Sequence, residues 1–159
     1  MRAHKLLRDL KSFLDEVLAD FELPGPTIES MARARVYFGN VPDDNSGLDE
    51  RFPFVIIRWS EGEDGEEGQS EEEAALIFGV FSPSGPGEAE LITAALMDHV
   101  RSALMEKRIL GQTFDLLLPL KSAKPDPEKR QHNYHIAAII TRWNHQVVRR
   151  DLNKGDFDD

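Results

Sequence analysis

Cysteine is absent from the 159 residues, which excludes disulfides, thiolate metal sites, iron–sulfur clusters and thiol nucleophiles and fits synthesis in a reducing cytoplasm. Long apolar runs are absent too. The longest, such as Phe52 to Ile57 and Ile136 to Ile140, have the length of strands and fall far short of the ~20 residues of a membrane span. The first residues, MRAHKLLRDLKSFLDEVL, are charged every few positions, a pattern without the apolar centre of a signal peptide. Bases are few: 19 Lys and Arg stand against 29 Asp and Glu, a net charge of −10. Such a surface repels nucleic acid and offers no basic footprint for reading its sequence. Eight of the acids, Glu61, Glu63, Asp64, Glu66, Glu67, Glu71, Glu72 and Glu73, fall between Ser60 and Glu73 with no base among them, and removing them leaves a net charge of −2. The acidity therefore belongs mostly to one segment.

What is present is a soluble, globular composition, 40% hydrophobic and 30% charged, in a length that suits one domain. Residues 1–150 are expected to form it, and 151–159 to be a polar tail that frays. Leu6, Leu7, Leu10, Phe13, Leu14, Val17, Leu18 and Phe21 recur at steps of three and four, which predicts a helix from about Arg2 to Phe21. A short extended piece over Arg33 to Phe38 precedes a strand from Phe52 to Trp59 and another from Ala74 to Phe81. The acidic segment 60–73 between those two reads as a long, mobile hairpin loop. A second helix starts within Ser84-Gly85-Pro86-Gly87-Glu88, with Pro near its first turn, and ends at a basic last turn of Lys107 and Arg108, with Gly111 as its C′ glycine. Strands Thr113 to Leu120 and Tyr134 to Trp143 complete the chain. The expected fold is α+β, a mainly antiparallel sheet of four to five strands with two helices packed on one face.

Two helices cover one sheet face, so the strands should alternate apolar with polar, and they do not. Phe54 and Ile56 oppose Val55, Ile57 and Trp59; Ile77 and Phe81 oppose Leu76, Phe78 and Val80; Ile139 and Trp143 oppose Tyr134, Ile136 and Ile140. Either the sheet or its loops fold over the second face, or a second copy covers it; the second is favoured. Phe54, Ile56, Arg58, Ile139, Arg142 and Trp143 are the expected interface residues.

Catalytic and metal-binding constellations are missing. His132 and His135 stand three apart on a strand, which points them to opposite faces, so they cannot chelate together with His145. His99 falls on the apolar stripe of the second helix and reads as a half-buried, hydrogen-bonded side chain. The acidic segment lacks the spacing of an EF-hand loop. The glycines form no phosphate loop, and Ser82 and Ser84 lack a nucleophile elbow. No enzyme, cofactor or metal is expected. A near-duplicate, Ile56-Ile57-Arg58-Trp59 and Ile139-Ile140-Thr141-Arg142-Trp143, suggests an arginine of one strand stacked on a tryptophan of the other.

Taken in order, Val36-Tyr37-Phe38-Gly39-Asn40-Val41-Pro42, Phe52 to Arg58, Leu76 to Phe81, the long helix, Phe114-Asp115-Leu116 and Ile140-Thr141-Arg142-Trp143 resemble the tail terminator (tail completion, neck) proteins of long-tailed bacteriophages and prophages. The resemblance covers roughly residues 3 to 150 in element order. It implies a structural, non-enzymatic virion protein, made in the bacterial host cytoplasm and sited in the tail or neck. Such subunits form a ring, usually a hexamer, that caps the tail tube, ends its polymerisation and presents a surface for head–tail joining. The implied partners are further copies of itself, the tail tube protein and a head completion or connector protein, with DNA only passing through the lumen and no membrane. The alternative from another class is a small-ligand-binding or regulatory α+β domain.

Overall fold

The computed structural model describes residues 2–27, 30–40, 51–65, 70–123 and 133–145. Helix α1 (Arg2–Leu18) is amphipathic: Leu6, Leu10, Leu14 and Leu18, one per turn, are buried, and the helix stops three residues before the expected Phe21. A two-stranded sheet of β1 (Leu23–Pro24) and β2 (Met31–Ala32) follows. The main sheet has six strands in the order β3-β4-β5-β8-β7-β6. These are β3 (Arg35–Phe38), β4 (Phe54–Asp64), β5 (Ser70–Phe81), β6 (Ile109–Leu110), β7 (Phe114–Ala123) and β8 (Tyr134–His145), with helix α2 (Pro86–Lys107) between β5 and β6. Among the described residues only β3 and β4 pair in parallel; the other neighbours are antiparallel.

The α+β class and the mainly antiparallel sheet match the sequence reading, but the strands outnumber the expected four to five. The additions are short pieces such as β1, β2 and β6, each of two residues, and two residues carry no periodicity to read.

Both helices pack on one face of the sheet. Leu6, Leu10 and Leu14 of α1 and Leu96, Val100 and Leu104 of α2 form one core with Val55, Ile57, Leu76, Phe78, Phe114, Ile139 and Trp143. Helix α2 begins as expected, with Gly85 as N-cap at φ 115° and Pro86 in its first turn. Its end differs. The left-handed position falls on Arg108, at φ 61°, whose N–H donates to the Leu104 carbonyl, while Gly111 turns the chain between β6 and β7 at φ 56°.

The acidic segment is a second correction. Residues 60–64 and 70–73 are strand rather than loop: β4 continues to Asp64 and β5 begins at Ser70, pairing Glu61 with Glu73, Gly62 with Glu72 and Glu63 with Glu71. Glu71, Glu72 and Glu73 pair on their other side with Asn144, Trp143 and Arg142 of β8. A strand flanked on both edges satisfies its backbone donors and acceptors, which outweighs the repulsion of its charges. Glu66 and Glu67 lie outside the described residues.

Candidate interaction surface

Strand alternation and register sort the expected interface residues onto two faces. Phe54, Ile56, Arg58 and Arg142 lie on the face away from the helices. Ile139 and Trp143 do not: they are buried beneath the helices, at 0% and 1% exposure, and Ile136 and Ile140 take the outer positions of β8. Trp143 is tied down there, its indole Nε1 donating to Thr141 Oγ1 at 2.9 Å and that hydroxyl donating to the Ala74 carbonyl at 2.8 Å. With both arginines on one face and both tryptophans on the other, the expected arginine–tryptophan stack does not form.

The outer face is graded along its strands. At one end Phe52 and Phe54 lie 4.9 Å apart between ring centres, with Tyr134 and Phe81 at 5.8 and 6.3 Å from Phe52. Phe52, Phe54 and Ile56 are buried in this cluster. The Phe54 ring lies flat over Gly79, where any Cβ would collide with it. Next comes a half-buried apolar strip: Tyr37, Ile77 and Ala138 share one cross-strand row with the buried Ile56, and Ala75 and Ile140 lie between the exposed Arg58 and Lys121 in the next. No described element covers it. Arg58 closes the turn after β3: its Nη2 donates to Gly39 O at 2.7 Å and to Asn40 Oδ1 at 3.0 Å.

At the far end Glu61, Glu63, Glu71 and Glu73 surround Arg142, which reaches Glu71 Oε1 at 3.3 Å; Ser60 Oγ donates to Glu73 Oε2 at 2.7 Å. Glu72 instead turns to the helix side, where it is buried and accepts from Trp59 Nε1 at 2.8 Å. Its carboxylate fills the space a side chain at Gly62 would need. The Ser70 hydroxyl is buried near this end without a hydrogen-bond partner. Of the histidines, His135 and His145 sit buried at opposite ends of β8, ten residues apart, and His132 lies outside the described residues. His99 is half-buried as expected, its Nε2 within 3.0 Å of the Val17 carbonyl and its ring stacked 4.0 Å from Phe21.

Two features escaped the sequence reading. A cleft of about 220 Å³ lies between α2 and the β7–β8 edge, lined by Thr93, Met97, Arg101, Ser122 and His135 among others. The solvent side of α2 carries apolar residues among its polar ones: Leu91 is 67% and Met105 41% exposed, with Ala94, Ala95, Asp98 and Ser102 exposed between them. The signal was legible in principle, because α2 has apolar residues all round rather than on one stripe. Comparison of the chain with protein-family models and with curated protein sequences returned no match.

Proposed function

We propose that the protein is a structural subunit of a bacteriophage or prophage virion, a tail terminator that caps the tail tube as a homo-oligomeric ring, ends tube growth and offers a surface for head–tail joining. The observation that carries this reading is the half-buried apolar strip, covered by no described element, on a sheet whose other face already has its helices. A layer that is apolar and uncovered is a surface made to be covered, and a ring of copies supplies the cover. The resemblance in element order adds the tube end as the place of action. A net charge of −10 suits a conduit, because DNA passes a surface that repels its phosphates. The role needs no catalytic residue, cofactor or metal.

The test is tube growth. Polymerising the tail tube protein of the phage or prophage that encodes this chain should give short, closed-ended tubes by electron microscopy when the protein is present. Open tubes of unchanged length, with no density at their ends, would overturn the proposal. The second reading, a small-ligand-binding domain, draws on the cleft beside α2; it predicts a monomer whose melting temperature rises with a small molecule and is lost in an Ala94→Trp variant that fills the cleft.

A further inference from the structure

We draw no further inference here: the strongest candidate, the half-buried apolar strip on the sheet face away from the helices, shares that face with the cations Arg58 and Lys121 and the carboxylates of Glu61, Glu63, Glu71 and Glu73, so its charge selects no partner and nothing in the structure shows what covers it.

Discussion

At the residue scale, several side chains are fixed by what the neighbouring strand omits. Gly79 has ordinary backbone geometry, yet a methyl group there would enter the Phe54 ring, so the glycine exists to let that ring lie on the sheet. Gly79→Ala should cost about 1–3 kcal/mol, the usual penalty of overpacking, and the loss should shrink in a Phe54→Leu background because the two positions are in contact. Chemical denaturation of the four proteins of that cycle checks it; additive losses would show that the ring and the glycine are independent. The Trp143–Thr141–Ala74 chain makes the opposite kind of demand. Thr141→Val removes the acceptor of a buried indole N–H and the donor to a buried carbonyl, and leaving such groups unpaired costs about 1–3 kcal/mol each. A melting temperature unchanged by Thr141→Val would mean that the indole finds another acceptor. Arg108 is the reverse case, a bulky residue at φ 61° where glycine is the natural occupant, so Arg108→Gly should stabilise the fold by up to about 1 kcal/mol.

At the scale of elements, the acidic strands set charge against pairing. Glu61 faces Glu73 and Glu63 faces Glu71 across the β4–β5 ladder, and like charges placed opposite each other cost roughly 0.2–1 kcal/mol per pair. Exposed charges are screened by salt, so the melting temperature should rise by a few degrees between low and moderate salt, at about 2–4 °C per kcal/mol for a chain of this size. Glu63→Gln should raise it at low salt and flatten the dependence, and a melting curve indifferent to salt in the parent protein would show the repulsion to be negligible. These strands also show where sequence reading stops. Helix α1 was legible because its leucines repeat once per turn, and α2 because Gly85-Pro86 and Lys107 mark its ends. The strand character of residues 61–73 was not, since acidic residues are poor strand formers and what holds them is tertiary: β8 pairs the length of β5, Trp59 binds Glu72 and Arg142 sits among the outer carboxylates. The second sheet face was legible from Phe54, Ile56 and Ile77. Its membership on β8 was not, because only register decides whether Ile139 or Ile140 faces the helices, and a slip of one residue exchanges every side chain between faces.

At the scale of the whole molecule, the question is whether the open face serves the monomer or the assembly. A side chain that serves the folded monomer loses stability when it is made polar, as any substitution at buried Ile139 should. One that serves an interface loses association instead, because in the isolated chain it already borders water. Ile140 is the position to test, half-buried at the centre of the strip between Arg58 and Lys121. A lysine there can run its methylenes along the strip and keep its ammonium in water, so Ile140→Lys should melt within a few degrees of the parent. It should nevertheless abolish assembly, since it puts a third cation in a row that must receive apolar side chains and would bury that charge against a neighbour. Light scattering on the variant and the parent, alone and with tail tubes, reads association, and the thermal melt reads the fold. A variant that assembles like its parent would show that the strip is not where copies meet. A variant that unfolds would show that the strip belongs to the monomer's own core, with its cover supplied from within the chain.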